Sequence, residues 1–149
     1  MVDVSTPMRI MYGVGLVVGT GVIQVLARLM LGWMTDVLPT PRLSNYPNLY
    51  MTVHTALAVL VLLFGMILQV TLWALFYHFH MGELGDFGSS LYFSMVSFTT
   101  LGANELNLSH AHRIFGGIES AVGMLMFGWS TALLVKVVHQ TDRHTSPPP

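Results

Sequence analysis

Residues 92–105 read YFSMVSFTTLGANE. Apolar and hydroxyl-bearing residues lead into Thr99-Thr100-Leu101-Gly102, and the stretch closes on Ala103-Asn104-Glu105. Ahead of it lies a glycine-rich polar turn, HMGELGDFGSS over 80–90, in which Asp86, Ser89 or Ser90 can cap a new helix. The pattern predicts a helix over 90–99. A bilayer crossing needs about 20 apolar residues, so a helix of this length dips into the membrane or lies on it. Non-helical backbone is tolerated at membrane depth only inside protein or beside water, so an extended segment over 100–105 would need a cavity.

Long apolar runs flank the stretch on both sides. Residues 52–78 lack Asp, Glu, Lys and Arg and end in Trp73, Phe76, Tyr77 and His78, amphipathic rings suited to the headgroup level. Residues 114–138 carry Glu119 as their single acidic group. A third run, 10–34, is interrupted by glycines, Gln24 and Arg28, yet is long enough to span, with Gly15 and Gly19 spaced for close helix contact. Residues 1–9 precede it and make a poor signal peptide, so the run is expected to be retained. The linker 35–51 holds Pro39, Pro41 and Pro47, and the tail 139–149 ends in three prolines and is expected to be disordered.

Composition agrees with a membrane protein. Of 149 residues 53% are hydrophobic and 9% charged, against about 25% charged in soluble domains. Mean hydropathy is +0.64. A net charge of −1 argues against nucleic acid as a partner. The lack of cysteine excludes disulfides and thiolate metal sites. No helical histidine pair is placed to clamp a haem, which leaves little room for a membrane enzyme or electron carrier. His78/His80 and His110/His112 are H-x-H pairs, read as interfacial histidines rather than metal ligands. No cofactor is expected.

A half-length helix held between two spans, followed by a Thr/Gly segment, is how backbone carbonyls are presented to a cation. Here the chain resembles the bacterial potassium-channel family with two helices around a pore loop. The family pattern runs T-T-V/L-G-Y-G-D, an Arg opening the inner helix, a hinge Gly, then F-G-x-x-T-A. This chain has Thr99-Thr100-Leu101-Gly102, Arg113, Gly123, Phe127-Gly128 and Thr131-Ala132 in that order. The resemblance covers 52–138 and implies an all-α pore domain: outer helix 52–78, pore helix 90–99, filter 100–105 and inner helix 114–138. It implies a homotetramer in a lipid bilayer, K+ or another monovalent cation as permeant ion, and Gly123 as a hinge. It also implies a cavity lined by Met124, Phe127, Thr131 and Val135, which share one helical face by their spacing.

The filter departs from the family. Thr100, Leu101 and Gly102 resemble the inner cation sites, whereas Ala103 and Asn104 stand for the usual tyrosine and glycine. Ala103 removes a supporting ring, and Asn104 enters a position that asks for positive φ. Glu105 keeps a negative charge at the mouth. Such a filter should hold cations but discriminate poorly. The alternative is a channel-fold protein that does not conduct and serves as an accessory subunit of a larger membrane complex.

Glu119 is costly inside a span and should face a partner or cavity. Two readings stand: it hydrogen-bonds behind the filter as a support, or it reaches the interface or pairs with Arg113. With the pore loop facing outward, linker and tail are cytoplasmic. Arg28, Arg42, Lys136 and Arg143 then gather inside, as expected for a multi-pass protein of a bacterial inner membrane.

Overall fold

The computed structural model describes residues 6–37, 47–102, 108–109 and 112–145. Four α-helices account for most of them: α1 (Thr6–Val37), α2 (Pro47–Phe76), α3 (Phe87–Phe98) and α4 (Arg113–Thr145). Three helical stretches are long and apolar enough to cross a membrane: Ile10–Met34, Met51–Met81 and Arg113–Gln140. Large apolar side chains such as Ile10, Leu29, Leu60, Ile67 and Leu125 remain exposed on all three. A soluble protein would not leave so much apolar surface in water. The chain is an all-α membrane protein.

The helix ends differ in places from those read in the sequence. α2 starts at Pro47 rather than 52, because proline is well suited to a first helical turn. α4 runs on to Thr145, so 139–145 are helical where a disordered tail was expected. His139, Gln140 and Thr141 carry no helix-breaking signal, and the prolines begin only at Pro147. α2 passes into a π-helical turn, Tyr77–Met81, closed by Gly82 in the left-handed region at φ 61° with its N–H on the Tyr77 carbonyl at 3.0 Å. A π turn is rare and costs regular pairing, and it often marks a functional position.

α1 lies antiparallel along α2 and parallel to α4. Leu16, Thr20, Gln24, Ala27, Leu31 and Met34 form its buried stripe at three- and four-residue spacing. Thr20 meets Trp73, Gln24 meets Gln69, and the Ala27 Cβ would lie 3.5 Å from a Cβ on Gly65. At one end of the bundle Trp73, Phe76, Tyr77, Phe93 and Phe115 form an aromatic core. At the other, Leu31, Met34, Ala58, Leu62, Leu133 and Val137 pack together. α3 is wedged between α2 and α4.

Candidate functional site: the tip of a half-span helix

Asp86 caps α3, accepting the Gly88 N–H at 3.0 Å and the Ser89 hydroxyl at 2.6 Å. The Ser89 hydroxyl bond, reinforced by backbone amides against a small burial cost, holds the Asp86 carboxyl below its ordinary range. From there α3 descends beside α4. Phe93 lies against Gly116, the Ser120 hydroxyl donates to the Ser97 carbonyl at 2.8 Å, and Phe98 meets Gly123. Gly116, Ser120 and Gly123 form a stripe of small residues that lets the two backbones close up. A Cβ on Gly123 would collide with the Phe98 carbonyl. The position therefore needs glycine for contact, whatever bending it also allows.

The tip of α3 lies deep. Phe98 clusters with Val122 and Met126 of α4, and Met66 and Val70 of α2 pack against that cluster. Met66 stands at the middle of the Met51–Met81 span, and Met126 at the middle of Arg113–Gln140. α3 thus enters from one face of the membrane and stops about halfway through.

The helix then ends in a two-bond turn. The Thr100 N–H donates to the Ser97 carbonyl at 3.0 Å, and the Leu101 N–H to the Val96 carbonyl at 2.9 Å. This is a Schellman cap, which wants glycine in the left-handed position. Thr100 occupies it instead, at φ 61°. A β-branched residue there stores roughly 1–2 kcal/mol of strain. The expectation of an extended segment from residue 100 is corrected here, because satisfying the last carbonyls of α3 turns the chain first. Thr100, Leu101 and Gly102 are exposed on the single chain, Gly102 again with positive φ (81°). Ala103, Asn104 and Glu105 lie outside the described residues.

Behind α3 sits Glu119, fully buried. The Tyr77 hydroxyl donates to its Oε2 at 2.7 Å, and Ser94 Oγ of α3 is 2.5 Å from its Oε1. The same Ser94 hydroxyl reaches the Val70 carbonyl at 2.8 Å. One carboxyl thereby links the π turn that follows α2, the middle of α3 and α4. Arg113 is not part of this cluster: it is exposed at the head of α4. Tyr77 and Ser94 were not singled out in the sequence. The only signals were a hydroxyl recurring on the short helix and a tyrosine among the aromatics ending α2.

Met124, Phe127, Thr131 and Val135 are all exposed along α4. Phe127 leans on Phe98 with ring centres 5.9 Å apart, and the Thr131 hydroxyl donates back to the Phe127 carbonyl at 2.9 Å. The two histidines after α2 part company: His80 stacks on Phe76 (5.3 Å), while His78 packs edge-on to Phe79 and Phe87. At the same end Glu83 accepts from the Ser109 N–H (2.9 Å) and Ser109 Oγ (2.8 Å) and lies 2.7 Å from His112 Nδ1. Slight burial works against ionisation of Glu83, but the Ser109 and His112 contacts outweigh it and hold the carboxyl below its ordinary range.

No curated protein and no solved structure matches the chain. A family model described as "Ion channel" matches residues 56–140, from the third turn of α2 through the half-span helix to near the end of α4. With more than half of its 149 residues inside that match, the chain belongs to the ion-channel family.

Proposed function

We propose that four copies surround a central pore and pass monovalent cations, K+ foremost, down their gradient without any chemical step. The observation that carries this reading is the depth of the α3 tip. Phe98 packs at the middle of two spans, and Thr100 to Gly102 follow it as exposed, non-helical backbone. Such backbone is tolerated at that depth only against protein or water. A ring of identical chains supplies both, the neighbours on the sides and a hydrated axis in the centre. The C-terminal end of α3 carries roughly half a negative charge, and four such ends favour a cation there. Met124, Phe127, Thr131 and Val135 then line the inner cavity, and Thr100, Leu101 and Gly102 the inner half of the filter. Ala103 and Asn104 complete its loosened outer half, and Glu105 sits at the mouth. Gly123 serves as the inner-helix hinge as well as a contact, Glu119 supports the filter through Ser94, and Arg113 stands at the outer rim. The C-terminus is cytoplasmic, in a bacterial inner membrane.

The left-handed Thr100 favours a second reading. A chain that turns there presents fewer aligned carbonyls, as in a non-conducting accessory subunit of a larger membrane complex. Flux from proteoliposomes loaded with K+, Na+ or a larger cation separates the two. Cation flux abolished by Gly102→Asp is the expected result. Tightly sealed vesicles, a monomer or dimer in mild detergent and co-purification with a stable partner would replace it with the second reading.

A further inference from the structure

At the end of the bundle opposite the α3 cap, α1 and α4 leave a groove between them of about 350 Å³. Arg28, Gly32 and Trp33 line it from α1, and Leu133, Lys136 and Gln140 from α4. Two cationic side chains line it, both exposed, and no carboxylate is found among the described lining residues. Its depth in the membrane is defined. The apolar stretches of the two helices end at Met34 and Gln140, within about two turns of the lining residues. Trp33, 65% exposed, is the kind of ring that settles among headgroups. The α4 wall starts apolar, at Leu133, and finishes cationic and amide-bearing, at Lys136 and Gln140, while Arg28 starts deepest on α1 with a side chain long enough to extend toward the surface. Half of the groove comes from α1, which lies wholly outside the matched family segment 56–140.

We infer that this groove binds the phosphate headgroup of an anionic phospholipid, with Arg28 and Lys136 on the phosphate, Gln140 on the headgroup hydroxyls and an acyl chain against Leu133. Basic pockets between membrane helices take such headgroups, and each cation near the surface contributes to the attraction. Arg28 can take two phosphate oxygens at once, while Lys136 acts as a point charge. A neutral phosphatidylcholine would leave both cations uncompensated. Gly32 leaves room for the ligand: a Cβ there would meet no atom within 4 Å.

The test uses the full chain in phosphatidylcholine vesicles doped with brominated phosphatidylglycerol or brominated phosphatidylcholine, reading quenching of Trp33. The Trp33 signal is isolated by subtracting a Trp33→Phe sample. An apparent preference of about 10- to 30-fold for the anionic lipid is expected from two surface cations. Arg28→Gln with Lys136→Gln should abolish it, and Lys136→Arg should keep it. Gly32→Leu changes no charge and meets no described atom, yet should fill the groove and lower the preference several-fold. Arg42→Gln, in the linker that the sequence places between α1 and α2, should leave it unchanged. Equal quenching by both lipids would overturn the inference. So would a preference that ignores Gly32→Leu and falls equally with Arg42→Gln, which would indicate a diffuse surface charge. Displacement of the brominated lipid by inorganic phosphate at equal concentration would overturn the lipid assignment in favour of a free anion.

Discussion

Among the described residues two buried polar networks join the helices of this bundle, and they are built differently. Around α1 the groups are neutral. Trp73 donates to Thr20 at 3.1 Å, Gln69 to Gln24 at 2.9 Å, and Gln24 to Ser130 of α4 at 3.0 Å. Around α3 the hub is a carboxyl, Glu119, joined to Tyr77 and Ser94. The difference follows helix length. α1 is 32 residues long and has a full apolar stripe to hold it, so its amides add register and modest energy. α3 has 12 residues, too few to be anchored by apolar burial alone in lipid. It is held by stronger bonds and by close backbone contact at Gly123.

The largest expected effect breaks the α3 side. Gly123→Ala drives a methyl group into the Phe98 carbonyl, which backbone cannot avoid by changing rotamer. It should cost about 3 kcal/mol or more, read as a lower melting temperature in detergent. Next, Glu119→Ala strands the Tyr77 hydroxyl and opens a hole, at about 2–4 kcal/mol. Glu119→Gln keeps an acceptor for Tyr77 and a polar partner for Ser94, and should stay within about 1 kcal/mol of the parent. If Gln destabilised as much as Ala, charge rather than hydrogen bonding would be holding α3.

The α1 side should prove softer. Gln24→Leu removes two interhelical bonds that average about 0.6 kcal/mol each inside membranes. Stability should fall by about 1 kcal/mol while α1 remains docked, as checked by protease protection of the 6–37 segment. A loss equal to that of Glu119→Ala would erase the contrast between the networks.

The smallest effect sharpens the picture at the capped end of α3. Glu83 ties the turn after α2 to Ser109, just ahead of α4. Its folded carboxyl is held below the ordinary value, so the tie contributes fully above that value and is lost as pH falls through the lowered one. Being partly exposed, it is worth at most about 1 kcal/mol. The Ser109 amide should lose hydrogen-exchange protection in acid relative to its intrinsic rate, and Glu83→Gln should show that loss at neutral pH.

Much of this was legible before any coordinates. The uncharged run 52–78, the run 114–138 and the short segment between them predict two spans and a half-span helix from length and charge alone. The order of Thr99-Thr100-Leu101-Gly102, Arg113, Gly123 and Thr131 pointed to the family. The turn at Thr100 was not legible, because threonine gives no warning of a left-handed conformation. Glu119 was recognisable as a buried group in need of a partner, but which partner was not.

By itself the sequence determined that the chain lives in a membrane, that one helix is too short to cross it and that a non-helical Thr/Gly segment follows that helix. These depend on local composition and run length. The tertiary structure alone decided that α3 stops at the level of Met66 and Met126, that Gly123 is needed for backbone contact, and that Glu119 chooses Tyr77 and Ser94 over Arg113. It also fastened Gln24 to Ser130 across 106 positions of chain. Such pairings are selected by the requirement that buried polar groups find partners in three dimensions, and no periodicity along the chain records which ones they find.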